Sequence, residues 1–107
     1  MICVSIQGKD LNGIRLALAE GLEMAEIRLD RCPLSINDIE TLFAETDIPL
    51  VATCRVTECG SEAETAHRLE AAIRAGARYV DLEIEASSAL AERIAEIAAS
   101  YGAAYIR

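Results

Sequence analysis

The sequence predicts an α/β fold of parallel βα repeats, and three observations predict it. Short runs rich in Ile, Val and Leu alternate with longer stretches of helical period, and this happens four times before a fifth short run. The helical stretches carry capping residues or terminating glycines at their ends. Along each short run, alternate residues sort into an apolar row and a polar row.

Ile2–Ile6 reads as the first strand. Asp10 caps a helix whose Leu11, Ile14 and Leu18 share a face, and Gly21 is expected to end it. Met24–Leu29 is the second strand. Ser35 with Asp38 forms a capping box, followed by Ile39, Leu42 and Phe43 on one face. Pro49–Cys54 is the third strand, and Ser61 with Glu64 repeats the capping box ahead of Leu69, Ala72 and Ile73. Gly76 closes that helix and Tyr79–Ile84 follows as the fourth strand. Leu90, Ile94, Ile97 and Tyr101 mark the last helix, closed by Gly102, and a fifth strand begins at Ala103–Ile106. Consecutive units of this kind form a parallel sheet with right-handed crossovers.

The two rows of side chains then choose among α/β folds. One face carries Ile2, Val4, Ile6, Ala25, Ile27, Leu29, Leu50, Ala52, Cys54, Val80, Leu82 and Ile84. The other carries Cys3, Ser5, Gln7, Glu26, Arg28, Asp30, Val51, Thr53, Arg55, Asp81, Glu83 and Glu85. A doubly wound sheet is covered by helices on both faces and would be apolar on both. A flavodoxin-like binding domain, the reading of that kind, would also call for a Gly-rich phosphate loop, which the chain lacks. Helices on one face and charge on the other suit a barrel with a ligand inside. A closed barrel of this type has eight strands, and about four and a half units are present. Residues 1–107 therefore read as a single partial domain, the N-terminal half of a TIM-type (β/α)8 barrel. Its active-site end is the end of the strands that leads into the helices, where Asp30, Arg55 and Glu85 fall. From Glu26 to Glu85 the inner row holds five acids and two arginines. Crowded carboxylates raise one another's pKa, so whatever completes the barrel is expected to bring cations. The alternative is that this row is simply the solvated face of an open half-sheet.

Composition narrows the partners. The 107 residues are 52% hydrophobic and 26% charged, which is globular rather than disordered. Eighteen acids against ten Lys and Arg give a net charge of −8. This argues against nucleic acid and anionic membrane as partners, since both need a basic face. No apolar run approaches the ~20 residues of a membrane span, and no secretory leader is recognised. Cys3, Cys32, Cys54 and Cys59 lack C-x-x-C spacing, and His67 has no second histidine nearby, so no metal site is expected. Four reduced thiols in a cytoplasmic protein is the reading of the cysteines. His67 falls on the far side of its helix from Leu69 and is expected at the surface. Lys9, the only lysine, follows the first strand, but nothing around it would lower its pKa enough to make it a nucleophile.

Four stretches in order resemble type I 3-dehydroquinate dehydratase: Glu26-Ile27-Arg28-Leu29-Asp30, Thr53-Cys54-Arg55, Glu58-Cys59-Gly60 and Val80-Asp81-Leu82-Glu83. The opening Ile2-Cys3-Val4-Ser5-Ile6 is also typical of that family. The resemblance runs the length of the chain. It implies an eight-stranded barrel that dehydrates 3-dehydroquinate through a lysine imine, with neither metal nor nucleotide cofactor. By the same resemblance Glu26, Arg28 and Arg55 contact the substrate, with Ser5 beside them. Glu58 matches the glutamate that orients the catalytic histidine, and Asp81 and Glu83 match acids that support the imine electrostatically. The chemistry suits these residue types, because a polyhydroxylated ring acid needs carboxylates as acceptors and guanidinium forks as donors. The sequence departs from the family at Cys59, which replaces a glycine, and by an interval from Arg55 to Glu58 that is one residue short.

The family's acid/base histidine and imine lysine match positions after Arg107, so this stretch is expected to bind substrate without running the reaction alone. A non-catalytic half-barrel that self-associates is the alternative. Either way the first and fifth strands are expected to pair with the missing half-barrel or a second copy. The outward rows Ile2, Val4, Ile6 and Val80, Leu82, Ile84 are expected under the chain's own helices.

Overall fold

Alternating apolar strands and capped amphipathic helices can bury their apolar faces only against each other. A computed structural model, describing residues 2–106, has that arrangement. The order is β1 (Cys3–Ile6), α1 (Leu11–Leu18), β2 (Met24–Arg28), α2 (Ile36–Glu45), β3 (Leu50–Thr53), α3 (Val56–Cys59), α4 (Glu62–Ala75), β4 (Tyr79–Asp81), α5 (Ser88–Tyr101) and β5 (Ala104–Ile106). The five strands are parallel and lie in chain order, β1-β2-β3-β4-β5. The sheet is not closed, which is compatible with part of a TIM barrel.

The core lies between the outward row and the helices. Ala25, Ile27 and Leu29 from the β2 stretch, Leu50 and Ala52 from β3, and Val80 and Leu82 from the β4 stretch are buried there. They meet Ile14 of α1, Ile39, Leu42 and Phe43 of α2, Leu69, Ala72 and Ile73 of α4, and Leu90 and Ile94 of α5. Gly76 permits the close approach of α4 to α2. Its φ is +133°, and a Cβ there would sit 3.1 Å from the Phe43 carbonyl oxygen. One charged group shares this side: Glu70 of α4 is buried and ion-paired to Arg93 at 2.5 Å and Arg74 at 3.6 Å.

The caps behave as side-chain chemistry dictates. Asp10 accepts from the Gly13 amide at 2.9 Å, and Ser35 with Asp38 forms both halves of a capping box. Ser61 accepts from the Glu64 amide, but the Glu64 carboxylate turns to Arg68 at 3.1 Å instead of completing the box. Helix α1 stops at Leu18 with Ala19 as its cap, short of Gly21, which instead supplies a left-handed turn into β2.

Two strand expectations need correction. The fourth strand does not run to Ile84: it ends at Asp81, and Ala86 N donates to Glu83 O in a turn. The Glu62 carboxylate pins that turn by accepting from the Ser87 amide and hydroxyl, at 3.1 and 2.7 Å. Glu83 and Ile84 thus lie past the strand. The outward rows are also only partly covered. Ile6, Val80 and Leu82 are buried, but Ile2 and Ile84 are 71% and 73% exposed and Val4 is 38% exposed. An edge strand has a helix on one flank only, and a turn residue has left the sheet. At the last helix, Tyr101 lies outside the apolar stripe and is exposed.

Candidate functional site

The pleat and the strand register place the inner row. Ser5 lies opposite Glu26, and Glu26 opposite Val51. One step toward the helix-leading end, Arg28 lies opposite Thr53, and Thr53 opposite Asp81. Four of the expected site residues, Ser5, Glu26, Arg28 and Asp81, therefore share one inner face within two adjacent rungs. Arg55, Glu58 and Glu83 come from the segments that follow β3 and β4.

Hydrogen bonds tie the β2 and β3 residues together. Arg28 makes a two-pronged contact with Asp30, from Nε to Oδ1 at 3.0 Å and from Nη2 to Oδ2 at 2.7 Å. The pair is buried, with the Arg28 side chain 10% and the Asp30 side chain 0% exposed. Arg28 is the last residue of β2 and Asp30 lies in the turn two residues on, close enough for the carboxylate to meet the guanidinium. Thr53 Oγ1 donates to Glu26 Oε2 at 2.7 Å. The Arg28 guanidinium is held in its charged form, chiefly by the hydrogen bonds to Asp30.

The β4 side is organised differently. Burial pushes the Asp81 carboxyl above its ordinary value, and the charge of Glu26 pushes it further; Arg55 and Arg28 act in the opposite direction. The crowding of carboxylates inferred from the sequence thus acts on Asp81, with desolvation as the larger cause. Glu83 Oε1 accepts from the Val56 amide at 2.5 Å, so this carboxylate holds the first residue of α3. Arg55 precedes α3 in extended backbone and is exposed. Glu58, within α3, is paired with Arg31 at 3.2 Å, and the same guanidinium donates to Gln7 Oε1 at 2.9 Å.

Arg31 and the helix α3 were not anticipated from the sequence. Four residues are too few to show a helical period, and Arg31 lies past the end of its strand, where alternation gives no direction. Thr53 was placed on the inner face, but its partnership with Glu26 needed the register. Arg68 of α4 is a further unanticipated contact, donating to the Leu29 carbonyl at 3.3 Å from the helical side.

The remaining candidates lie elsewhere. Lys9 is exposed after β1, and His67 is exposed on α4 as the helical geometry predicted. His67 lines a cavity of about 510 Å³ with Glu40, Arg74 and Arg93, on the helical side of the sheet rather than the inner one. A cavity of about 260 Å³ lies at the mouth, lined by Asp30, Glu58, Cys59 and Arg68 among others. Cys3 is exposed, Cys59 is half-buried, and Cys32 and Cys54 are buried. Burial raises the Cys54 thiol far above its ordinary value, and contact with Cys59 raises it further. Among the described residues no cluster of His, Cys, Asp or Glu could hold a metal ion, and no helix is long and apolar enough to cross a membrane.

Chemically the inner face offers carboxylates to accept from hydroxyls, guanidinium groups to grip oxygens, and one carboxyl, Asp81, biased toward its protonated form. The family model described as type I 3-dehydroquinase matches residues 2–107. No curated protein matches the chain.

Proposed function

Because the chain belongs to the type I 3-dehydroquinase family, we propose that it provides the substrate-binding half of a 3-dehydroquinate dehydratase site. The observation that carries this reading is the inner-face group of Glu26, Arg28 and Asp81, brought within two rungs by the register and headed by a forked, buried Arg28. Glu26 accepts from a ring hydroxyl, and Arg28 and Arg55 donate to the substrate's oxygens, with Ser5 at the β1 side. Asp81 and Glu83 support the positive charge that a protonated imine develops; carboxylates there favour the iminium. Glu58, paired with Arg31, orients an imidazole supplied by the rest of the barrel. The imine lysine and the acid/base histidine come from outside this sequence, so this stretch alone binds without dehydrating.

The open edges support a second element of the reading. β1 and β5 each pair on one side only among the described residues, and Ile2 is 71% exposed. Exposed strand edges template pairing with further strands. The missing half-barrel is the partner that also supplies the lysine and histidine. A second copy is the partner in the alternative, non-catalytic assembly. The unpaired thiols and the soluble enzyme family favour the cytoplasm.

Borohydride trapping with 3-dehydroquinate, read by intact mass, tests the chemistry. The chain alone is expected to keep its mass, whereas a polypeptide that completes the barrel is expected to acquire a reduced adduct on a lysine of the added part. An adduct on Lys9 in the chain alone would overturn the division of labour. Light scattering over a dilution series tests the edges, and a soluble monomer at micromolar concentration contradicts the pairing.

A further inference from the structure

The fork between Arg28 and Asp30 has a geometric consequence for the proposed site, on which this inference rests. A guanidinium carries five N–H donors in a plane: one on Nε and two on each Nη. Asp30 takes the Nε–Nη2 edge with both of its oxygens. Two parallel bonds fix the plane and its rotation, whereas one would leave the group free to swing about a single contact. The Nη1–Nη2 edge then keeps its outer donors, and no described side chain accepts from it. That edge matches ligands with two adjacent oxygens, such as a carboxylate or a vicinal diol. Asp30 itself is closed to such a ligand, because its side chain is fully buried.

Asp30 differs in this from the other inner-face acids. Glu26 is half-buried and takes a neutral hydroxyl from Thr53, Asp81 has no described ion pair, and Glu83 holds a backbone amide. We infer that Asp30 is a positioning residue: it holds Arg28 so that the Nη1–Nη2 edge is presented to a two-oxygen group of the substrate, and it touches no substrate itself.

The test combines a measurement without ligand and one with it. In the ¹⁵N–¹H spectrum of the unliganded chain, the Arg28 Nε–H is expected as a separate, slowly exchanging resonance that is lost in Asp30→Asn. Fast exchange with solvent in the unsubstituted chain would overturn the proposal. Titration calorimetry with 3-dehydroquinate is then run on the unsubstituted chain, Asp30→Asn, Arg28→Met and the double variant, which removes both charges and so leaves neither buried alone. Asp30→Asn is expected to weaken binding about tenfold. The double variant is expected to bind no more weakly than Arg28→Met, because Asp30 acts only through Arg28. A further tenfold loss in the double variant, or unchanged affinity in Asp30→Asn, would sink the positioning role while leaving the substrate site intact. Unchanged affinity in Arg28→Met would sink the substrate site and the inference together.

Discussion

On β2 and β3 the polar groups of the inner face are engaged within the chain: Arg28 with Asp30, and Thr53 with Glu26. Beside β4 only Glu83 is, through the Val56 amide. The Asp81 side chain makes no described hydrogen bond or ion pair and feels Glu26 against it, and Arg55 stands exposed before α3. Both regions have the same strand geometry and the same kinds of side chain, so the difference lies in the order of charges. Arg28 and Asp81 each end their strand, but two residues on Arg28 meets an opposite charge in Asp30, whereas Asp81 meets another acid, Glu83, which is engaged with the Val56 amide. A preassembled binding group therefore sits beside one whose charge awaits a neighbour.

Losing the fork should cost the most. Arg28→Met strands the buried Asp30 carboxylate, and losing one partner of a buried pair costs about 3–5 kcal/mol. Urea unfolding should show it, and Arg28→Met with Asp30→Leu should recover much of the loss. A shift of only a few tenths in the single variant would mean that the β2 pair is no more committed than Asp81. Thr53→Val is a smaller blow: it removes the hydroxyl that Glu26 accepts from, at a cost of about 1 kcal/mol in the same assay.

The β4 side is sharpened by pH. The folded state raises the Asp81 pKa above its ordinary value of 3.8. It thus holds the proton more tightly than the unfolded chain does, and the contribution of Asp81 to stability falls as pH rises through and beyond 3.8. Asp81→Asn should flatten that fall, seen as a smaller difference in Tm between mildly acidic and neutral pH. Glu62 works with the opposite sign and a smaller reach, being at the surface. Hydrogen bonds from Ser87 hold its carboxyl below the ordinary 4.5, so its contribution is present above that value and lost as pH falls through it. In Glu62→Gln the acid limb of the Tm profile should be shallower, and an identical acid limb would mean that the Ser87 contact does not hold the turn.

The helices and the sheet order were legible because caps and periods are local. Asp10, Ser35 and Gly102 mark ends that the backbone then takes. The inner face was legible too, since a period of two assigns Glu26, Arg28, Thr53 and Asp81 without any tertiary information. What alternation could not supply is partnership. It placed Arg28 beside Asp30 without showing that the two grip each other, and it gave Arg31 no address at all. It also carried β4 past Asp81, because apolar residues continue to alternate through Ile84 even though the backbone is already turning toward Ser87.

The strand order, identical to the chain order, bears on how the molecule comes apart. Each strand bonds only to the next unit along, so coupling is between nearest neighbours, as in a solenoid of repeats. Closure energies are short-range, and no distant segment must be found before pairing begins. Opening then proceeds from the flanks. Amide exchange should be slowest on β2 and β3, faster on β4, and fastest at β1 and β5, and a strand docked against either flank would slow the whole series by extending the row.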